Sequence, residues 1–452
     1  MRLKEALRVQ KGEVISLVGG GGKSTAMYRL ASELAGQGWK VVTTTTTLIR
    51  TSQGRQSEAL IISPDKADAL PKISAALGQY NQVTVVSGER VAGKRKLIGL
   101  PPDWIADIRD LPQVDAVIVE ADGSRLRSLK APADHEPVVP ECTTIHIPVA
   151  GLDAVGQSLS NQSAHRPELV ARLAGMEMGE PVTPESVASV LGHRQGGLKG
   201  ASPGARLLPL VNKVEDEEGL MVAREIANQL LREEAIELVL SGAVQSEDPI
   251  LEAQGRVAAV VLAAGESQRM EKPKQLLSVN GKTFLEHVIE TGLASLANQV
   301  VVVLGYQAET IGPVAEGYPV RTVVNQDWAG GLSTSVKAGL RAVHPRTAGA
   351  VFLLADQPLI TPQTINRLIL AHRRTLAPVV APTFRGQRGN PTLFDRRLFP
   401  ALQALEGDSG GRALIGQYED SVEWVAVNSD EILFDVDTEE NYGSLLEKGS
   451  RL

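Results

Sequence analysis

The sequence predicts an α/β protein of two domains, and three observations carry the prediction. An apolar run from Glu13 to Val18 passes directly into Gly19 to Gly22 and then into a helical stripe of Met27, Leu30, Ala31 and Leu34. A second apolar run, Val257 to Leu262, breaks into Ala263, Ala264 and Gly265, and Ser267, Arg269, Lys272 and Lys274 follow within a few residues. In both halves apolar strands alternate with helical stripes, the pattern of open sheets that bind ligands at the carboxyl ends of their strands. The reading is an N-terminal P-loop-like α/β domain over residues 1–245, a linker over 246–255, and a C-terminal Rossmann-like three-layer domain over 256–452.

Composition sets outer bounds. With 452 residues, 43% of them hydrophobic, the chain has material for at least two cores. A net charge of −7 argues against a nucleic-acid partner, because displacing phosphate counterions takes a basic surface. The single cysteine, Cys142, excludes an internal disulfide and any multi-cysteine metal site, and is expected to be structural. Met1 to Lys11 is charged and no run approaches a membrane span, so a cytoplasmic protein with no membrane partner is expected.

In the first half, Gly19, Gly20, Gly21 and Gly22 allow successive amides to converge on phosphate oxygens. Lys23 adds a mobile charge, Ser24 a magnesium ligand, and Thr25 lies in the first turn of the helix whose dipole favours an anion. A strand from Trp39 to Thr43 leads into the threonine run Thr43 to Thr47, read equally as a polar strand end or as hydroxyls facing a nucleotide's magnesium. The strand Asp115 to Glu120 delivers Glu120, the first candidate for a magnesium-ordering or water-orienting acid, with Asp122 second. A charged loop with Arg125, Arg127, Lys130, Asp134, His135 and Glu136 follows. Further on, Leu207 to Val211 is an expected strand, and Ser241 to Gln254 lacks apolar periodicity and reads as connecting chain.

In the second half, Asn280 and Gly281 signal a tight turn, and Phe284, Leu285, Val288, Ile289 and Leu293 mark a helix. Strands are expected at Gln299 to Leu304, Thr322 to Asn325 and Ala350 to Ala355. Ser333 is read as a helix cap that also contacts ligand. Asp356, at the end of a central strand, is positioned to hold magnesium, while Arg269 and Lys274 neutralise phosphates as catalytic cations.

The run from Leu262 through Ala263, Ala264, Gly265, Ser267, Arg269 and Met270 to Lys274 closely resembles the signature of the molybdenum cofactor cytidylyltransferases, the MobA-like NTP transferases. Asn325, Trp328, Gly331, Ser333 and Ser335 match the same family, as do Leu354 to Pro358 with Gln357 and Pro358 after the acid. The resemblance implies that Gly389, Asn390 and Pro391, together with Asp408 and Arg412, face molybdopterin, and that Asp437, at the end of a short apolar strand, is a second magnesium carboxylate. The family more often has His at position 390 and Gly at 271, where this chain has Asn390 and Glu271. The implied reaction is transfer of CMP from CTP to molybdopterin or its molybdenum-loaded form, with release of pyrophosphate. Ala264 is similar to the cytidylyl rather than the guanylyl branch.

The first half is similar to the YqeC accessory family found with selenium-dependent molybdenum hydroxylases, on Val18 to Thr25, the threonine run and Glu120 to Pro140. That resemblance implies ATP or GTP as ligand and a molybdenum hydroxylase apo-enzyme as partner. The short glycine loop resembles Mur-ligase-like ATP sites, while Asn212 and Lys213 with Glu215 or Asp216 resemble a guanine-reading element, so the base stays open. Two further readings stay open for the whole chain: a sugar-1-phosphate nucleotidyltransferase, and a non-catalytic, nucleotide-switched carrier or insertion chaperone.

Overall fold

The computed structural model describes residues 1–90, 96–266 and 272–449. The chain divides after Gln254 into two units. In the first, the strands β1 (Glu13–Gly19), β2 (Val41–Thr45), β3 (Ala59–Ile62), β4 (Gln82–Val86), β5 (Ala116–Glu120), β6 (Ile145–Gly151), β7 (Leu210–Asn212) and β8 (Leu238–Ser241) form one parallel sheet. Their order is β3-β4-β2-β5-β1-β6-β7-β8. The central strands are buried on both faces, which is why they read as unbroken apolar runs. The strand expected from Leu207 to Val211 is split into Arg206–Leu207 and Leu210–Asn212. Pro209 lies in the gap and has no N–H for the ladder.

The second unit holds β9 (Glu252–Ala263, its first three residues still in the first unit), β10 (Gln299–Leu304), β11 (Arg321–Val324), β12 (Thr347–Leu354), β13 (Val379–Phe384), β14 (Thr392–Asp395) and β15 (Val422–Ala426). The order is β11-β10-β9-β12-β14-β13-β15, with β14 antiparallel to both neighbours. Side chains along β9 alternate between two cores. Val257, Ala259, Val261 and Ala263 pack with Leu285 and Ile289 of the helix Phe284–Leu293 and with Ile365 and Leu368 of the helix Pro362–Thr375. Ala258, Val260 and Leu262 pack on the opposite face with Val336 and Leu340 of the helix Leu332–Ala342. A sheet covered on both faces gives the three layers.

Two expectations need correction. The stretch read as a linker is folded: Glu252 to Gly255 already belong to β9, and Ile250 and Ala253 are fully buried. Two of its polar residues are buried and paired, Glu252 with Arg224 at 2.5 Å and Gln254 with Asn228 at 2.5 Å. Asp437 does not end a strand; it follows an extended stretch after the 3-10 turn Asp430–Leu433. Among the described residues no helix is long and apolar enough to cross a membrane.

Candidate functional site

In the second unit the carboxyl ends of β9 and β12 lie side by side, Leu262 in register with Leu354. Leu262, Ala263 and Ala264 are buried, and the chain leaves the sheet after Ala263. Gln275, which the sequence did not single out, holds this exit open: its Nε2 donates to the carbonyls of Ala263 and Gly265, both at 3.1 Å. Ser267 and Arg269 lie outside the described residues.

Lys274 is the centre of the charge arrangement. Its Nζ is 2.5 Å from Asp437 Oδ1 and 3.6 Å from Asp356 Oδ2, so one ammonium joins the two predicted metal carboxylates. The Val436 amide donates to the Asp356 carbonyl at 3.2 Å, and Gln357 Nε2 donates to Asp435. These bonds replace the missing strand in fixing Asp437. Burial pushes the Asp356 carboxyl up to about 6, against the pull of Lys274 and with the help of Asp435 and Asp437. Asp356 Oδ1 is buried and accepts no hydrogen bond among the described residues.

An orphaned buried carboxylate oxygen beside a second carboxylate, both balanced by a single lysine, fits a divalent cation. Among the described residues no group of three or more acidic, histidine or cysteine side chains gathers to hold a metal unaided.

Around this centre, Ser333 is not a cap. Gly331 holds that position with φ +96°, and a Cβ there would come within 2.5 Å of the Gly407 backbone. The Ser333 amide donates to the Gly407 carbonyl at 3.1 Å, and its buried hydroxyl has no partner among the described residues. The loop carrying Asp408 is thereby held against the start of the helix Leu332–Ala342, with exposed Arg412 opening the next helix. Gly389 and Asn390 pack beside Ile432, whose carbonyl accepts from the Asn390 amide at 3.0 Å, and Pro391 is buried. Pro358 is buried behind Gln357.

In the first unit, the loop Gly19 to Gly22 leaves β1 and enters the helix Lys23–Ala35. Gly21 (φ +75°) approaches the backbone so closely that a Cβ would lie 2.1 Å from the Gly151 amide. Asn212 Nδ2 donates to the Gly21 carbonyl at 2.7 Å while its Oδ1 accepts from the Val244 amide. Asn212 is therefore occupied as a brace, and Asp216 caps the helix Glu217–Leu230 through the Gly219 amide at 2.7 Å.

Ser24 Oγ donates to Glu120 Oε2 at 2.5 Å, bringing together the two groups expected to order a metal or water. Burial raises the Glu120 carboxyl, opposed by Lys23 and by the Ser24 hydroxyl. Asp122 faces elsewhere: it accepts from the Gly19 amide at 3.1 Å and pairs with Lys23 at 3.1 Å and with Lys130 at 2.7 Å, so it braces the loop. Thr25 lies half-buried in the first helical turn. The threonine run divides between its two readings. Thr43, Thr44 and Thr45 are buried inside β2 with hydroxyls bonded to Thr84, Val85 and Glu120, whereas Thr47 lines the cavity beside the glycine loop. Half-buried Cys142 packs at the margin of an aliphatic core.

The model of the family described as MobA-like NTP transferase domain matches residues 259–422, and that of the YqeC protein matches residues 15–168. Nicotine blue oxidoreductase of Paenarthrobacter nicotinovorans is 34% identical over 42% of this chain and 96% of its own length. The uncharacterized protein YqeC of Escherichia coli (strain K12) is 29% identical over 52% of this chain and 90% of its own. A Mycobacterium tuberculosis H37Rv protein solved in complex with manganese is 31% identical, covering 42% of this chain and 98% of that one, with a TM-score of 0.38.

Proposed function

We propose, for a chain that belongs to the MobA-like NTP transferase family through its second half and to the YqeC family through its first, that the second domain moves CMP from CTP to the terminal phosphate of molybdopterin or its molybdenum-loaded form. A phosphate oxygen of the acceptor attacks the α-phosphorus, a new P–O bond forms, the bond to the bridging oxygen breaks, and pyrophosphate leaves with its electron pair. The acceptor is already an anion and needs no strong base. The obstacle is repulsion between two anions, so positioning and charge neutralisation supply the catalysis.

The observation that carries this reading is Lys274 set between Asp356 and Asp437 at the carboxyl edge of the sheet. Asp356 and Asp437 would hold magnesium, which when bound neutralises triphosphate oxygens. Lys274 would neutralise the phosphates, joined by Arg269 in its sequence-assigned role. Leu262 to Gly265, with Ser267, would receive the nucleotide against backbone. Ser333, Gln357 and Pro358 would shape the nucleotide and acceptor pocket, and Gly389 to Pro391, Asp408 and Arg412 would meet the pterin. Asp356→Ala tests the assignment: a folded variant without turnover is expected, and retained turnover refutes it.

For the first domain the proposal is a P-loop-like module that binds and hydrolyses ATP or GTP while maturing or delivering the cofactor to a molybdenum hydroxylase. Lys23 and the amides that open the helix Lys23–Ala35 would receive phosphates, the Gly19, Gly20 and Gly21 amides being bonded to Asp122, Val149 and Arg127, and Ser24 with Glu120 would order magnesium or the attacking water. Asp122 would keep Lys23 poised. If Lys23→Ala binds both nucleotides as wild type does, this part fails.

A further inference from the structure

The glycine loop opens onto a cavity of about 1100 Å³, above the roughly 300–1,000 Å³ that serves one drug-sized ligand. Its wall carries seven lysine or arginine side chains against two carboxylates. Both carboxylates are engaged, Glu120 with Ser24 and Glu136 with Lys130 and Arg166. Arg50, Lys96, Arg125 and Arg127 make no ion pair among the described residues, so the cavity is built with uncompensated positive charge. On the same wall burial, then the charges of Arg166, Lys130 and Arg125, push the His165 imidazole down to about 4.

Strained backbone gathers along the same wall. Arg125 (φ 51°), Leu126 (φ 66°), Arg166 (φ 61°) and Lys213 (φ 65°) all adopt the left-handed conformation, and all line this cavity. Non-glycine residues are held there only when the surroundings over-determine them, and such positions gather at ligand clamps. The arginine wall is also tied to the nucleotide loop. The Gly21 amide donates to the Arg127 carbonyl at 2.9 Å, and on the opposite side Gln53, whose short helix follows Arg50, donates to Ser24 Oγ at 2.7 Å.

We propose that this cavity holds two anions together: a nucleoside triphosphate on the glycine loop and, on Arg50, Lys96, Arg125 and Arg127, a second ligand carrying a phosphomonoester. Guanidinium forks match phosphate oxygens in pairs, which a nucleotide's ribose and base do not require. The proposal rests on the nucleotide reading of the first domain. It also gives that domain the same ligand class as the acceptor of the second.

The test is calorimetric titration of phenyl phosphate and of inorganic phosphate into the full chain saturated with magnesium and a non-hydrolysable ATP analogue. Phenyl phosphate should bind the loaded protein, and Arg125→Gln with Arg127→Gln should weaken it about tenfold or more while the analogue's affinity stays within about threefold. The side-chain change leaves the Arg127 carbonyl in place, and Arg50→Gln repeats the test from the other wall. Competition between phenyl phosphate and the analogue, no binding, or variants that bind phenyl phosphate like wild type would overturn the proposal. Inorganic phosphate binding as tightly as phenyl phosphate would overturn the phosphomonoester class. Failure of the analogue itself to bind wild type would instead sink the nucleotide reading, and is seen in a separate titration.

Discussion

Asp356→Asn should make the metal-free protein more stable while removing its activity, and the size of the gain follows from the site. Burial raises the Asp356 carboxyl from 3.8 to about 6. A shift of about two pH units corresponds to about 3 kcal/mol of preference for the neutral form. The side chain is 28% exposed and Lys274 can turn between the acids, so solvent screening reduces this to about 1–2 kcal/mol. The sign is that of an acid raised on folding. The unfolded chain ionises near 3.8 and the folded one near 6, so stability is lost as pH rises between them and the penalty is complete above about 6. Asparagine carries no charge and escapes it. At pH 7 the unfolding transition that CTP raises should therefore move up by about 2–8 °C in Asp356→Asn without metal, and the gain should vanish as pH falls below about 3.8. Magnesium should raise the wild-type transition and leave the variant's unchanged. Scanning calorimetry with and without chelator reads all of these. An unchanged transition in the variant, or equal stabilisation of both proteins by magnesium, would refute the account of Asp356 as a strained ligand awaiting a cation.

Other consequences reach the rest of the chain. Gly21→Ala should abolish nucleotide binding to the first domain, since its Cβ would sit 2.1 Å from the Gly151 amide at φ +75°; equilibrium dialysis with ATP and GTP checks this. Glu136 is raised by burial, but Arg166 and Lys130 outweigh that and hold it down at about 2, so its stabilisation is present above about 4.5 and lost as pH falls towards 2. Glu136→Gln should cost about 1–2 kcal/mol at pH 7 after solvent screening and nothing at pH 2, read from urea unfolding at both pH values. Gln275→Leu should lower turnover about tenfold while the protein stays folded, because the two carbonyl contacts that shape the Gly265 exit are lost; steady-state kinetics with CTP would show whether that support matters.

What the sequence conveyed was governed by periodicity and by where the chain leaves its strands. Gln299–Leu304 was legible to the residue because an apolar run flanked by polar residues has one reading. Asn280 and Gly281 likewise gave their turn, with φ 52° and 80°. The pairing of Lys274 with Asp356 and Asp437 was not legible, because it joins residues more than 80 and 160 positions apart through packing of Val436 and the Gln357 contact to Asp435. Asp122 illustrates the limit from the other side. Its place two residues past Glu120 suggested chemistry, and only the direction of its carboxylate, towards Gly19, Lys23 and buried Lys130, assigns it to support. The resemblance of Asn212 and Lys213 to a guanine-reading element likewise carried no information on which groups are already bonded, and the Asn212 amide is bonded to Gly21 and Val244.

The central claim is tested most directly by measuring pyrophosphate release from the purified full chain given molybdopterin and magnesium, with CTP, GTP and ATP supplied in turn. Release with CTP, dependent on molybdopterin and absent in Asp356→Ala, is the predicted result. No release with any of the three, from protein that is folded and binds CTP, would contradict it and favour a carrier that binds nucleotide without transferring it.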